Sequence, residues 1–138
     1  MFLTPQELST HLYDYQVGQI TGGDDTIALA AISTATAQAR TYIATRYDAD
    51  AAFQATGDSR DPLLLHLVKC LAAYHLVRLA NPDAIYERYR DDYRDALETL
   101  ARLADGTAVA DLPRIQTSSG QPAGTLQLQS NQKFSHSY

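Results

Sequence analysis

The stretch PLLLHLVKCLAAYHLVRLA, residues 62–80, is apolar on nearly every side when it is wound as a helix. Asp61-Pro62 precedes it and Asn81-Pro82 follows it, and both pairs are typical of helix boundaries. The stretch is shorter than the ~20 residues that cross a bilayer. A soluble helix that is apolar all round must be covered by other helices. The sequence therefore predicts the central helix of a bundle.

Three further helices are predicted around this central one. Thr4-Pro5-Gln6-Glu7 has the pattern of a capping box and begins a short helix that ends near Leu12. Asp24 or Asp25 caps a second helix to about Arg46. Its apolar stripe consists of Ala28, Ile32, Ala35, Ala39 and Ile43. The last helix runs from residue 82 to Gly106, a typical position for a terminating glycine. Residues 14–25 and 48–60 are predicted as loops.

Three tyrosines lie among many charged residues in the last helix, and this pattern is compatible with more than one function. Tyrosines interleaved with arginines can bind nucleic acid, enclose a ligand or pack in a core. Here the tyrosines continue one helical stripe: Tyr86, Tyr89, Tyr93, Leu97, Leu100 and Ala104. We therefore predict a core stripe with hydroxyls near its rim and a solvated charged face. A contact of some of these tyrosines and arginines with another subunit remains open.

No segment before residue 113 alternates in the manner of a strand, so the predicted fold is all-α. Residues 1–113 form a four-helix, adaptor-type bundle, and residues 114–138 form a separate polar arm. Of the 25 arm residues, 16 are Ser, Gln, Thr, Asn, Gly or Pro, too polar to form a core. Leu126 and Leu128 alternate with glutamines as in a short strand or hairpin, and Phe134 and Tyr138 offer further anchors. We predict an arm that is ordered by assembly, through strand addition to a partner.

The charge of the chain excludes some functions. With 11 basic and 16 acidic residues the net charge is −5, which argues against a protein that grips phosphate backbones. It does not exclude a protein that DNA merely passes. Cys70 is the only cysteine, which fits a reducing compartment. Neither a signal peptide nor a membrane span is apparent, so we expect a cytosolic protein without a membrane partner.

Residues suited to catalysis or metal binding are few. His66 and Cys70 lie one helical turn apart and could begin a zinc site. His75 projects about 180° away from His66, however, and there is no second cysteine. We predict a hydrogen-bonded histidine and a small buried thiol there, with no metal and no cofactor. Ser118 has no histidine and acid paired with it, and no other catalytic set stands out, so we predict that the protein is not an enzyme.

With these helices placed, residues 1–113 resemble a known family, the small neck proteins of Mu-like tailed phages and prophages. These are similar in size and helical layout to the head–tail adaptor proteins of other tailed phages. The residues that carry the resemblance are Thr4-Pro5, Glu7-Leu8, Ala39, Tyr42-Ile43, Arg46-Tyr47, Pro62-Leu63-Leu64, Ala73-Tyr74, Leu76, Tyr86-Glu87-Arg88-Tyr89, Leu97 and Leu100. Their order and spacing, rather than any single motif, make the case.

The resemblance implies a structural protein of the virion neck, made in the cytoplasm of the host bacterium. Copies of the chain, twelve by resemblance, would form a ring beneath the portal protein. The ring would give the tail terminator or stopper a docking surface around the DNA channel, with no sequence-specific DNA binding. The residues predicted at interfaces are Arg40, Arg46, Arg88, Arg90, Arg94, Leu126, Leu128, Phe134 and Tyr138. The alternative is a cellular helical-bundle module for protein–protein interaction.

Overall fold

The computed structural model describes residues 1–12, 14–78 and 84–115. Over these ranges the chain is all-α, as predicted, and they contain no β-strand. The five α-helices are α1 (Asp14–Thr21), α2 (Asp25–Ile43), α3 (Ala49–Gln54), α4 (Pro62–Val77) and α5 (Ala84–Asp105). A 3-10 helix at Pro5–Thr10 precedes them, and a 3-10 turn at Gly57–Ser59 lies between α3 and α4.

Helix α4 is the centre of the core. It packs against both α2 and α5, which also pack against each other. Leu64, Val68, Leu71 and Leu76 on α4 are each exposed by 1% or less. The predicted stripe of α2 is fully buried, and its alanines allow a close approach of the neighbouring helices. None of the described helices is long and apolar enough to cross a bilayer.

The helix caps that the sequence predicts are present. The Glu7 carboxylate accepts hydrogen bonds from both the backbone N–H and the hydroxyl of Thr4. Asp24 accepts from the N–H of Thr26, and Asp61 accepts from the N–H of Leu63. Each cap satisfies donors that the first turn of a helix leaves unpaired. The first helix is 3-10 and ends at Thr10 rather than near Leu12, and α2 ends at Ile43 rather than near Arg46.

Two helices lie in segments that were predicted as loops. Helix α1 contains the exposed Gly18, and the pair Gly22-Gly23 takes positive φ values of 63° and 81° just after the helix ends. These glycines therefore terminate a helix instead of forming a loop. Helix α3 begins where the Asp48 carboxylate accepts the N–H of Ala51. Its six residues are too few for an apolar repeat to be visible in the sequence.

The tyrosines of α5 contribute to the core. Tyr89 is 9% exposed, and the hydroxyl of Tyr93 accepts a hydrogen bond of 2.6 Å from the Gln38 amide on α2. The Tyr93 ring stacks on Tyr74 of α4, with 4.1 Å between the centroids. The predicted core stripe is thus confirmed for Tyr89 and Tyr93, while the side chain of Tyr86 lies outside the described part.

After α5 the chain packs against the segment that joins α2 to α3. The N–H of Ala110 donates to the Tyr47 hydroxyl at 3.0 Å, and the N–H of Asp48 donates to the Pro113 carbonyl at 2.7 Å. An isolated antiparallel bridge joins Tyr47 to Arg114. The N–H of Ile115 also donates to the Arg46 carbonyl, so hydrogen bonds join this segment to residues 46–48 as far as the last described residue. The predicted arm anchors at 126, 128, 134 and 138 lie outside the described residues, so the arm and its boundary remain predictions.

Gly106 ends α5 with a φ of +88°, a backbone conformation that side chains disfavour, and a methyl group there would overlap the Arg46 guanidinium. We expect Gly106→Ala to lower the free energy of unfolding by about 1–2 kcal/mol. Gly18→Ala is the matched control: Gly18 lies inside α1 with open space around it, so we expect no loss or a gain of up to about 1 kcal/mol. Urea denaturation of both variants tests this, and equal losses would contradict it.

Candidate functional site

Three side chains with metal-binding or nucleophilic chemistry meet where the N-terminal segment crosses α4. His11 follows the 3-10 helix, while His66 and Cys70 lie one turn apart on α4. The Nε2 of His11 is 3.0 Å from the Nδ1 of His66, and the Nε2 of His66 is 3.6 Å from the Cys70 sulfur. One ligand atom from each of the three lies within 4.8 Å of the others. We call this group the His-His-Cys cluster.

Hydrogen-bond contacts link the cluster to its surroundings. The Thr10 hydroxyl is 3.3 Å from the Glu7 carbonyl, to which it can donate, and it accepts from the Lys69 ammonium at 3.1 Å. The same hydroxyl is 2.9 Å from the Nδ1 of His11. When Thr10 donates to Glu7, it accepts from the Nδ1–H of His11, and the Nε2 of His11 then carries a lone pair towards His66. In this tautomer the order of donation is Cys70, His66, His11, Thr10 and the Glu7 carbonyl.

A solvent-accessible cleft borders the His-His-Cys cluster on the side of α5. Two adjoining cavities of about 340 and 290 Å³ both include the three cluster residues and Asp92 in their walls. Asp95 lines the first cavity, and Arg88 lines the second. His66 is exposed and His11 is half-buried, so a small solute can reach the cluster, whereas Cys70 forms its buried floor.

The surroundings favour the uncharged forms of His11 and Cys70. Burial lowers the pKa of His11, and the nearby His66 and Lys69 lower it further. Burial, with the negative charges of Asp92 and Asp95, raises the pKa of the Cys70 thiol to about 11. The protonated thiol is a poor nucleophile at neutral pH, since the thiolate is the reactive form. This arrangement does not support cysteine-based catalysis.

A family model described as Bacteriophage Mu, Gp36 matches residues 2–127, which is nearly the whole chain. The chain belongs to this family. The Gp36 match confirms the resemblance to a Mu-like phage family and extends beyond residue 113, where that resemblance was taken to end. No curated protein matches the chain.

The five arginines predicted at interfaces of this Gp36 family member do not form one patch. Arg40 forms an ion pair with Asp50 and lines an apolar groove of about 570 Å³ beside the N-terminus. Arg46 lies over Gly106 at the end of α5, and Arg88 lines the cleft of the His-His-Cys cluster. Their role at an interface stays a prediction.

The other two arginines lie on α5 of the Gp36 family member. Arg94 is exposed. The Nε of Arg90 is buried and makes no hydrogen bond among the described residues, because Asp91 is 3.9 Å away. A buried donor of this kind is uncommon in a folded protein.

His11 is the residue of the cluster that the sequence did not reveal in this Gp36 family member. The prediction of no metal site considered His66, Cys70 and His75, because all three lie on one helix at recognisable spacings. His11 is 55 residues away from His66, and only the packing of the N-terminal segment on α4 brings it near. No spacing rule relates the two positions.

Proposed function

We propose that this Gp36 family member is a head–tail connector subunit. Copies of the chain form a ring between the portal protein and the tail terminator or stopper, around the channel through which DNA passes. The observation that carries the proposal is the match to the phage family over residues 2–127. In this role the protein works by assembly, with no catalytic step.

The surface charge supports passage of DNA without adhesion. The net charge is −5, and α5 exposes more carboxylates than arginines: Glu87, Asp91, Asp92, Asp95, Glu98 and Asp105 against Arg88, Arg94 and Arg102. Negative charge on a protein surface repels phosphate, whereas binding of a duplex rests on clustered Lys and Arg. A channel wall with this charge lets the genome slide instead of holding it.

The tail supplies the contact between subunits in this proposal. Ile115 is the last residue that the structure describes, and its N–H donates to the Arg46 carbonyl at 3.4 Å. Residues 116–138 follow with their polar composition and with Leu126 and Leu128 in alternation. We propose that this segment adds a strand to a neighbouring subunit or another neck protein, and that Phe134 and Tyr138 anchor it. Repetition around a ring strengthens even weak contacts through effective concentration.

Truncation after Ile115 tests the role of the tail. The shortened chain keeps the bonds between Tyr47 and residues 110–114, so we expect an unchanged helical circular dichroism spectrum and melting temperature. We expect few completed particles when it replaces the full chain in phage production, measured as infectious titre and by electron microscopy. Normal particle yield from the truncated chain would contradict the proposed role of the tail.

Two double variants distinguish the loss of the apolar side of the predicted strand from the effect of added negative charge. Leu126→Asp with Leu128→Asp places two carboxylates on the apolar side, and we expect a strong loss of assembled particles. Gln127→Asp with Gln129→Asp adds the same charge on the opposite side, and we expect near-normal assembly. Equal effects of the two pairs would show that charge, and not strand addition, matters.

The location of the protein tests the connector itself. We expect peptides of this chain in purified mature particles, and density for a ring between portal and tail in electron micrographs. Absence from particles, together with a host partner outside the phage structural proteins, would favour the alternative of a cellular interaction module.

A further inference from the structure

We propose that His11, His66 and Cys70 bind a Zn²⁺ ion, with Asp92 as the fourth ligand. Imidazole nitrogen, thiolate sulfur and carboxylate oxygen are all ligand types that tetrahedral zinc accepts in proteins. The ligands come from the N-terminal segment, from α4 and from α5. The ion would therefore join three parts of the fold, in the manner of a structural site.

The cluster atoms are spaced somewhat more widely than the ligands of a zinc ion. With Zn–N near 2.0–2.1 Å and Zn–S near 2.3 Å, tetrahedral ligand atoms stand roughly 3.3–3.6 Å apart. In the cluster the histidine nitrogens are 3.0 Å apart and His66 is 3.6 Å from the sulfur, but one ligand atom from each residue lies within 4.8 Å of the others. His66 uses a different nitrogen for each, so its ring must turn to present one nitrogen to the ion. The side chain is exposed and has room to do so.

The hydrogen bonds around His11 match those of a metal ligand. Metal-binding histidines usually donate their second ring N–H to an oxygen, which orients the ring and fixes its tautomer. The Nδ1–H of His11 donates to the Thr10 hydroxyl at 2.9 Å, and Thr10 is held in turn by Glu7 and Lys69. In the His11 tautomer with Nδ1 protonated, the lone pair of Nε2 points into the cluster.

Two carboxylates and two cationic side chains surround the cluster. Asp92 and Asp95 line the cleft in front of it, while Lys69 lies behind Thr10 and Arg88 lines the second cavity. Asp92 borders both cavities that the three cluster residues border. It is exposed on α5, so a change of rotamer can bring its carboxylate to the ion. On binding, the Cys70 thiol transfers its proton to solvent, and the thiolate coordinates zinc.

Metal titration of the full, untagged chain tests the site. After treatment with chelator and reductant, we expect one Zn²⁺ per chain in equilibrium dialysis, with a dissociation constant below about 1 µM. Co²⁺ is a spectroscopic substitute, and we expect the absorption bands of a tetrahedral ion with a thiolate ligand. At a hundredfold excess of zinc over the dissociation constant, the melting temperature should rise by at least about 5 °C.

Single substitutions locate the ion. We expect His11→Ala, His66→Ala and Cys70→Ser each to weaken zinc binding at least about 100-fold, and Asp92→Asn to weaken it about 10-fold. His66 is exposed, so its variant is the least able to disturb folding. The control is His75→Ala: His75 lies on the same helix but bonds Gln38 at 3.1 Å, and we expect unchanged binding. Absence of stoichiometric binding in the full chain, or binding that survives His66→Ala and Cys70→Ser, would overturn the proposal.

Discussion

Replacement of Tyr47 by alanine lowers the free energy of unfolding by about 3–5 kcal/mol, which is the expected range for the loss of a large buried aromatic side chain. Tyr47 is 1% exposed and lies between α2 and the segment that returns after α5. Its ring lies 5.7 Å from the Arg114 guanidinium, and its hydroxyl accepts the N–H of Ala110. The substitution opens a cavity and leaves the half-buried N–H of Ala110 without its acceptor. Urea denaturation followed by circular dichroism measures the loss.

Tyr47→Phe separates the ring from the hydroxyl. The ring still fills its site, but the N–H of Ala110 loses its acceptor, so we expect a loss of about 1 kcal/mol. Hydrogen exchange of the Ala110 amide should accelerate in both variants. An equal loss of unfolding free energy in Tyr47→Ala and Tyr47→Phe would contradict this, because it would show that packing of the ring does not hold residues 110–115 in place.

Arg60→Ala is the second substitution with a large expected effect, a loss of about 2–3 kcal/mol. The guanidinium is 11% exposed and donates to both oxygens of Glu7, at 2.6 and 2.9 Å. It also donates to the carbonyls of Phe2 and Gly57 at 2.7 and 2.8 Å. The substitution removes the donor from four acceptors, namely the two carboxylate oxygens of Glu7 and the two carbonyls. Arg102→Ala is the control, because its pair with Glu98 is more than 60% exposed on both sides and contributes about 0.5 kcal/mol or less.

The Arg60–Glu7 pair also makes the free energy of unfolding depend on pH. The hydrogen bond from Arg60 lowers the pKa of Glu7 from 4.5 to about 2. A lowered folded-state pKa means that the contribution is complete above pH 4.5 and is lost as the pH falls towards 2. The shift corresponds to about 2 kcal/mol once the 31% exposure of the Glu7 side chain is considered. We expect Arg60→Ala to flatten the stability profile between pH 5 and about 2, and an unchanged profile would contradict this assignment.

Local signals in the sequence were sufficient for much of the fold. Thr4 and Glu7, Asp24, and Asp61-Pro62 mark helix starts because a cap is a bond between near neighbours in the chain. The burial of Ala35 and Ala39 follows from a repeat within one helix. Helices α1 and α3 were missed because a glycine or a short length hides the repeat, although Asp48 carried a capping signal.

The candidate site depends on contacts that no local signal encodes. His11 reaches His66 across 55 residues, and the Gln38–Tyr93 hydrogen bond spans the same separation. Arg60 was assigned to a loop, yet it bonds Glu7 because the chain after α3 returns to the N-terminus. Such long-range contacts depend on how the helices pack, and the identity of a single residue does not predict them.

The pairing of Glu7 with Arg60 has a consequence for synthesis on the ribosome. Glu7 emerges 53 residues before its partner, which at about 5–20 residues per second is a delay of roughly 3–10 s. During this interval the apolar side chains of Phe2, Leu3 and Leu8, all buried in the finished protein, have no core to enter. Until Arg60 and α4 have been synthesised, these side chains therefore lack the partners that cover them in the folded protein.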